Sequence, residues 1–272
     1  MILVQDKNGI YRTDELIKDI SYPEEGNNIF YDFENKSIWF NLRNELISKL
    51  IRKYSIKGDF LDIGGGNGFQ LSKIKNLNVF SKIILCEPGY QGCLNARKRN
   101  IEYVYNLRFQ TFPFKDFDIQ AIGLFDVIEH LENDVDFLNQ LYDYLPIGAK
   151  VYITVPSMKM LWAEIDSLSG HHRRYNKKDI ARLKRGIRFK LLDSGYFFSL
   201  FFLPLFFFRV IPYVFGVRKG EAEIFSSEVK NHTNENKLVK FVMNFFYFIN
   251  IWCFKRSIKS LFGSSLYIVL EK

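Results

Sequence analysis

A glycine-rich turn directly after a short apolar strand places the strongest constraint on the fold of this 272-residue chain. The segment Phe60–Gly68 has the sequence FLDIGGGNG, so an apolar run enters a turn built largely of glycine. Glycine reaches positive φ, and without a Cβ it lets a ligand lie against the backbone. At the carboxyl end of a parallel strand, such a turn is where α/β sheets bind nucleotides. The turn therefore predicts an α/β protein with a nucleotide site.

Strands and helices alternate along the first two thirds of the chain. Apolar strands are predicted at 59–63, 81–86, 119–125 and 151–155, and helices at 36–54, 69–77, 93–99 and 134–144. This alternation is typical of an open, mostly parallel sheet with helices on both faces. We interpret residues 36–195 as this core, residues 1–35 as an irregular N-terminal cap, and 261–272 as the last strand of the core.

Two apolar runs precede that last strand. Residues 196–217 include ten aromatic side chains, and residues 238–254 form a second run after a polar stretch. The first run is long enough for a bilayer, which takes about 20 residues, but Arg209 interrupts it and Pro204 and Pro212 break a helix. We expect 196–260 to be an apolar helical insertion over the acceptor side of the sheet. It could complete the core, act as a lid or contact a membrane surface.

Charge and cysteine content narrow the classes of protein. Lys and Arg number 38 against 30 acids, a net charge of +8, and the window 171–188 holds eight of the basic residues. Such a window is typical of a solvated face, of a site for an anionic acceptor or of a surface that contacts an anionic membrane. Nucleic acid is not expected as a partner, because the motifs of its binders are absent. Three unpatterned cysteines and no leader-peptide pattern predict a cytoplasmic protein.

The residues around the turn indicate which nucleotide would bind. A dinucleotide fingerprint needs a third glycine where Phe69 or Leu71 stands, and no phosphate-binding lysine motif follows the turn. Glu87 ends the next predicted strand, where an acid can accept hydrogen bonds from ribose hydroxyls. Asp62, just before the turn, could meet a positively charged amino group. A ligand with ribose and adenine but no phosphate suits this set.

The pattern Asp62-x-Gly64-x-Gly66-x-Gly68 followed by Glu87 resembles class I S-adenosylmethionine-dependent methyltransferases. Residues Phe125–Leu131 resemble the loop after the fourth strand in small-molecule members of the ubiquinone-biosynthesis type. Further segments resemble a bacterial subgroup associated with surface polysaccharides and lipids: Trp39-Phe40 with Arg43, Val155-Pro156, Leu161-Trp162 with Asp166, Gly170–Tyr175 and Phe262–Leu266. The resemblance implies a Rossmann-like, seven-stranded sheet, S-adenosylmethionine as cofactor and S-adenosylhomocysteine as product.

The resemblance also implies roles for individual residues. The cofactor would be bound by Asp62, Gly64, Gly65, Gly66, Gly68, Glu87, Pro88, Phe125 and Asp126. The acid that usually contacts adenine is missing, and Gln110 or Thr111 stands in its place. An oxygen acceptor needs a base to remove its proton. The candidates for catalysis are His130 with its neighbour Glu129, and His171, although Glu129 and His130 could instead hold the fold.

The acceptor is less well defined by the sequence. Its predicted contacts are His172, Arg173, Arg174, Tyr175 and Trp162. No metal is predicted, although Asp126, Glu129 and His130 offer an acid-x-x-acid-His cluster as an alternative. The predicted activity is methyl transfer, preferably to oxygen, on a small-molecule, sugar or lipid-linked acceptor. The alternative is a non-catalytic, cofactor-binding scaffold at the membrane, and the oligomeric state is undetermined.

Overall fold

One nine-stranded sheet organises the chain. The computed structural model describes residues 3–13, 17, 24–217, 237–256 and 260–272. The strands are β1 (Val4–Gln5), β2 (Tyr11–Arg12), β3 (Asp59–Ile63), β4 (Ile83–Cys86), β5 (Tyr103–Asn106), β6 (Ile119–Phe125), β7 (Lys150–Pro156), β8 (Lys190–Phe197) and β9 (Ser265–Glu271). Their spatial order is β1-β2-β5-β4-β3-β6-β7-β9-β8. The five pairings from β2 to β7 are parallel, whereas β9 runs antiparallel to both β7 and β8.

Ten α-helical segments accompany the sheet in the described part of the chain. They are α1 (Glu24–Phe33), α2 (Ile38–Tyr54), α3 (Phe69–Lys75), α4 (Tyr90–Lys98), α5 (Asp134–Tyr144), α6 (Glu164–Leu168), α7 (Lys177–Gly186), α8 (Phe202–Leu205), α9 (Ile211–Val214) and α10 (Lys237–Lys255). A π-helical turn, Phe206–Val210, joins α8 to α9. The predicted mixed α/β architecture is therefore confirmed.

The strand count is nine rather than the expected seven. Seven strands, β3 to β9, form the expected sheet, and the N-terminal segment adds β1 and β2 at its edge. These two strands have only two residues each, which is too short for an alternating pattern that would predict a strand. Tertiary contact holds β2 in place, because the ring of Tyr11 stacks on that of Tyr105 with centroids 4.8 Å apart.

The N-terminal segment is more regular than an irregular cap. Helix α1 occupies much of it, and Phe33 at its end is buried. Just after α1, Glu34 pairs with Arg99 at 2.6 Å, next to the end of α4. These partners are remote in sequence, so the local pattern could not predict the helix. Residues 1–2, 14–16 and 18–23 of the expected cap lie outside the described residues.

The central strands are covered on both faces. All five residues of β3 are buried, as expected for a strand inside a parallel sheet. Helix α2 packs Leu42, Leu46 and Leu50 into one hydrophobic cluster with β3, while Leu138 and Leu141 of α5 belong to the cluster on the opposite face. This sandwich fixes the carboxyl ends of the strands, from which the candidate site is built.

The apolar insertion begins after β8, so residues 196 and 197 belong to the sheet rather than to a helix. Phe246, Tyr247 and Ile251 of α10 pack against the cluster that contains α2. Other aromatic side chains of the insertion face outward, with Phe208 81% and Phe215 82% exposed. Among the described helices, none combines the length with the apolarity that crossing a bilayer requires. The polar stretch at 218–236 lies outside the described residues.

Candidate active site

A cavity of about 420 Å³ opens at the carboxyl ends of β3, β4, β5 and β6. This volume lies in the usual range for small-molecule sites, about 300–1,000 Å³. The sequence-predicted residues on its wall are Gly64, Gly65, Gly66, Glu87, Pro88, Phe125, Asp126, His130 and His171. Most of the predicted cofactor residues and both predicted catalytic histidines therefore share one cavity.

The turn after β3 has a backbone that requires glycine. Gly64, Gly66 and Gly68 have φ values of +70°, +51° and +67°. At Gly65 the constraint is space, because a Cβ there would lie 2.4 Å from Oδ2 of Asp62. Gly68 does not line the cavity but packs against α4, where an added Cβ would lie 2.9 Å from the Cβ of Ala96. The turn thus exposes bare backbone at Gly64–Gly66.

Glu87 connects this turn to the start of α4. Its Oε2 accepts a hydrogen bond from the backbone N–H of Gly66 at 2.9 Å, and its Oε1 accepts one from Gly89 at 2.7 Å. An ionised carboxylate has about four acceptor positions, so two such bonds leave capacity for ligand hydroxyls. The acid is therefore fixed on the cavity wall where the sequence predicted a ribose contact.

Asp62 occupies a different position from the one expected. It is fully buried beneath the turn and does not line the cavity. Neither carboxylate oxygen has a hydrogen-bond partner in the described structure. Burial, and secondarily the charge of Glu87, raises the pKa of Asp62 well above its usual value. Any effect of this carboxyl on a ligand would therefore pass through the turn above it.

Asp126 and Arg43 form an ion pair at the cavity wall. Asp126 has a φ of +57°, and its Oδ1 accepts a hydrogen bond from the Thr154 hydroxyl at 3.1 Å. Its Oδ2 accepts a hydrogen bond from the guanidinium of Arg43, which comes from α2 and is itself buried. Sequence reasoning did not select Arg43 as a site residue. The available signal was a charged side chain next to Leu42 on the apolar side of an amphipathic helix.

Gln110 and Thr111, the two candidates for the missing adenine contact, are separated by the structure. Gln110 lines the cavity beside Phe109. Thr111 does not line it, and its hydroxyl instead donates a hydrogen bond to the carbonyl of Arg108 at 3.0 Å. Gln110 is therefore the residue available to a bound base.

Glu129, His130 and His171 form a compact cluster in which the two histidines line the cavity and Glu129 is fully buried and does not. The two imidazole rings meet edge to face with centroids 4.7 Å apart. One potential ligand atom from each of the three residues lies within 4.8 Å of the others. Burial, with the neighbouring His171, lowers the pKa of His130 to about 4, so its ring is neutral at pH 7. Asp126 is not part of the cluster.

Asp166 orients His171 and was not predicted as a site residue. Its Oδ1 lies 2.8 Å from Nδ1 of His171, and Arg174 donates to both carboxylate oxygens at 2.8 and 3.0 Å. The backbone N–H of Ala163 donates a further bond at 2.9 Å. Burial alone would raise the pKa of Asp166, but the bonds from His171 and Arg174 lower it below its usual value. Because Asp166 holds Nδ1 of His171, Nε2 is the ring nitrogen that remains for a group in the cavity.

The five predicted acceptor contacts do not line the cavity. Tyr175 is buried and donates a hydrogen bond to Oδ2 of Asp134 at 2.7 Å. Arg173 pairs with the same carboxylate at 3.2 Å, and Arg174 pairs with Asp166. His172 is exposed and Trp162 is half-buried, both away from the cavity wall. A run of basic residues does not show in the sequence which acids it pairs with in the fold, and contact of these five residues with an acceptor stays a prediction.

The insertion does not cover the cavity in the described part of the structure. All described lining residues lie between Asn27 and His171. The described residues of 196–260 pack instead near α2, where the rings of Trp39 and Phe198 approach to 3.9 Å between centroids. The expectation of an acceptor lid therefore gains no support from the described residues.

Solved structures share this architecture at low sequence identity. The plantazolicin methyltransferase BpumL, crystallised with a triazolic desmethylPZN analogue and SAH, superposes with a TM-score of 0.55 at 14% identity over 90% of each chain. Phosphoethanolamine N-methyltransferase 2 of Haemonchus contortus, in complex with S-adenosyl-L-methionine, superposes with a TM-score of 0.52 at 15% identity. That match covers 93% of this chain and 58% of the other.

Sequence comparison adds nothing to these structural matches. No family model matches the chain, and no curated protein matches it. Identities of this size between superposed structures concern the fold alone. The chain has the fold of class I S-adenosylmethionine-dependent methyltransferases.

Proposed function

We propose that the protein is a methyltransferase that uses S-adenosylmethionine to methylate an oxygen atom of its acceptor. The observation that carries the proposal is one cavity whose wall includes both the glycine turn with Glu87 and the histidines His130 and His171. A cofactor held by the turn and an acceptor held near the histidines would share this cavity. The fold, shared with proteins solved in complex with S-adenosylmethionine or SAH, supports the same cofactor.

The cofactor half of the cavity offers partners for each polar part of S-adenosylmethionine. Glu87 would accept hydrogen bonds from the ribose hydroxyls, and Gln110 would contact the adenine. The ion pair of Asp126 and Arg43 would serve the methionine end, because a carboxylate suits its amino group and a guanidinium suits its carboxylate. The bare backbone of Gly64–Gly66 would let the ligand lie close to the turn.

The reaction would be an in-line displacement at the methyl carbon. The acceptor hydroxyl loses its proton, its oxygen forms a bond to the methyl group, and the bond from that carbon to the sulfonium sulfur breaks. The products are the methyl ether, S-adenosylhomocysteine and one proton. Positioning the two reactants supplies much of the acceleration in such reactions. The cluster of Glu129, His130 and His171 is where the acceptor's proton would be removed.

A lipid-linked acceptor is the class that the surface favours. Phe207, Phe208, Phe215, Phe248 and Trp252 of the insertion are each more than half exposed. Aromatic side chains exposed together are suited to a membrane interface. Flotation with lipid vesicles should carry the wild-type chain upward, and the double variant Phe208→Asp and Phe215→Asp should stay in the dense fraction. Equal flotation of both proteins would contradict the argument for a lipid-linked acceptor, and a soluble sugar or small molecule would then be the acceptor class to test.

The cofactor assignment is tested by calorimetric titration of the purified full-length chain. We expect S-adenosylmethionine and S-adenosylhomocysteine to bind in the micromolar range and NAD not to bind. The variant Glu87→Ala should lose both interactions, whereas Glu132→Ala, an exposed acid away from the wall, should keep them. Failure of a folded sample to bind either sulfur ligand would refute the proposal.

Transfer is tested separately from binding. Incubation with methyl-labelled cofactor and extracts of lipids and glycans should move label into the acceptor fraction. A protein that binds cofactor but labels nothing across broad extracts would instead be the non-catalytic scaffold.

A further inference from the structure

We propose that Glu129, His130 and His171 bind a divalent transition-metal ion of the zinc type. The three side chains bring one potential ligand atom each to within 4.8 Å of the others. Two imidazoles and one carboxylate form a ligand set used by catalytic zinc and by related first-row ions. The candidate site uses residues from two separate segments, so no local sequence spacing describes it.

The burial of Glu129 is the first argument for a cation. Its side chain is fully buried, and neither carboxylate oxygen has a hydrogen-bond partner from another described residue. An ionised carboxylate without partners is costly to bury, so such a group is paired, bound to a cation or protonated. A bound cation would supply the partner that the surrounding side chains do not.

Each of the two histidines offers one ring nitrogen to the cluster. Nδ1 of His171 is held by Asp166 at 2.8 Å, which leaves Nε2 as its ligand atom. Metal-bound histidines commonly have such a carboxylate on the second ring nitrogen, which fixes the ring and its tautomer. His130 adds Nδ1, which is buried and has no hydrogen-bond partner within the described residues.

The arrangement differs from the acid-x-x-acid-His spacing seen in the sequence. Asp126, the first acid of that spacing, is bonded to Arg43 and Thr154 and does not belong to the cluster. His171 takes its place from the segment after α6. Arg174 holds Asp166, and Asp166 in turn holds His171, so the third ligand is positioned by a chain of buried bonds.

The size of the cluster fits an ion after a small contraction. Bonds of about 2.0–2.2 Å place the ligand atoms of a tetrahedral ion about 3.4 Å apart. A separation of 4.8 Å, the upper limit here, would therefore have to close by about 1.4 Å. Because His130 and His171 line the cavity and Glu129 lies beneath them, the remaining coordination position would face the cavity. Three protein ligands with one open position are the pattern of a catalytic rather than a structural zinc site.

The consequence for chemistry rests on the proposed function. A hydroxyl oxygen of the acceptor in the open position would be a ligand of the ion, and coordination lowers the pKa of a bound O–H group. The proton would pass to solvent, and the metal-held oxygen would attack the methyl carbon. Metal binding itself does not depend on methyl transfer, so the two proposals can fail separately.

The test is metal binding to the full-length chain after chelator treatment and removal of the chelator. Calorimetric titration with Zn²⁺ should give one site per chain, and Co²⁺ should give visible absorption bands of a four- or five-coordinate ion. Glu129→Gln, which keeps the side-chain shape, and His171→Ala should each weaken binding by at least about tenfold. The matched control His172→Ala removes an exposed imidazole next to the site and should bind as the wild type does.

Three results would overturn the metal proposal. They are the absence of binding, an affinity that Glu129→Gln and His171→Ala leave unchanged, and an equal loss in His172→Ala. Preference for Mg²⁺ over Zn²⁺ would also contradict it, since two imidazoles disfavour a hard cation. Circular dichroism would check that each variant is folded. S-adenosylmethionine titration of the same samples would separate a lost metal site from a failed methyltransferase assignment.

Discussion

Replacing Asp62 by Asn is expected to stabilise the protein increasingly as the pH rises. Asp62 is fully buried and its carboxylate oxygens have no hydrogen-bond partners in the described structure. Burial first, and the charge of Glu87 second, raises the pKa of this carboxyl well above its usual value. A group with a raised folded-state pKa stabilises the fold below its unfolded pKa, and that stability is lost as the pH rises towards the folded pKa.

The magnitude follows from proton linkage. The unfolded carboxyl titrates near pH 3.9. Above that value, and for as long as folded Asp62 keeps its proton, each pH unit lowers the free energy of unfolding by about 1.4 kcal/mol. Asn cannot ionise, so the free energy of unfolding of the variant does not fall with pH for this reason. Over the two units between pH 5 and pH 7, the stability of Asp62→Asn relative to the wild type should therefore improve by up to about 2.8 kcal/mol, the full value holding if folded Asp62 keeps its proton throughout.

Urea denaturation at pH 5 and pH 7, without cofactor, would measure this difference. Asp116→Asn is the control, because it removes an exposed carboxyl and reports the general effect of one charge fewer. The reasoning would be refuted if Asp62→Asn lowered the free energy of unfolding equally at both pH values. That result would mean that the buried carboxylate is ionised and has stabilising partners.

Three further perturbations test the turn and the ion pairs beside the site. Gly65→Ala would place a Cβ 2.4 Å from Oδ2 of Asp62 and should lower both Tm and S-adenosylmethionine affinity. Unchanged affinity in the calorimetric titration would contradict the proposal that the turn binds the cofactor. Burial alone would raise the pKa of Asp134, but hydrogen bonds from Arg182 and Tyr175 lower it below its usual value. The ionised carboxylate therefore stabilises the fold above about pH 4, and this stabilisation is lost as the pH falls. Asp134→Asn should therefore cost about 2–3 kcal/mol at pH 7 and less at pH 3 by urea denaturation, and equal costs would argue against the ion pair. Tyr175→Phe removes the 2.7 Å bond to Asp134 and should cost about 1 kcal/mol by the same measurement, whereas no loss would show that this hydrogen bond does not stabilise the fold.

Residues next to one another in the sequence were predicted well. The turn at Gly64–Gly68 follows a buried strand as expected, and β3, β6 and α5 have the predicted boundaries. Glu87 lies on the cavity wall because it directly follows its strand, and the carboxyl ends of neighbouring parallel strands meet at one edge of a sheet. In each case the signal is local, since strand, turn and acid are set by adjacent residues.

The partners of charged and polar residues that lie far apart along the chain could not be predicted from the sequence. Arg174 and Tyr175 looked like acceptor contacts, but Asp166 and Asp134 neutralise and bury them. A basic side chain has the same appearance in the sequence whether its partner is a ligand or another part of the chain. The edge strands β1 and β2 were missed for a related reason, because two-residue strands are stabilised by their neighbours and not by their own pattern.

The sequence by itself determined the central strands β3, β4, β6 and β7 and the glycine turn, because strand pattern and glycine conformation are local properties. From the position of Glu87 it predicted a ligand that contains a ribose. Only the tertiary structure decided that Asp62 lies beneath the turn, that Arg43 reaches Asp126, and that His171 joins Glu129 and His130. The placement of these side chains depends on which distant segments of the chain pack together. Burial and pairing then set the charge of each group, and no spacing along the chain specifies them.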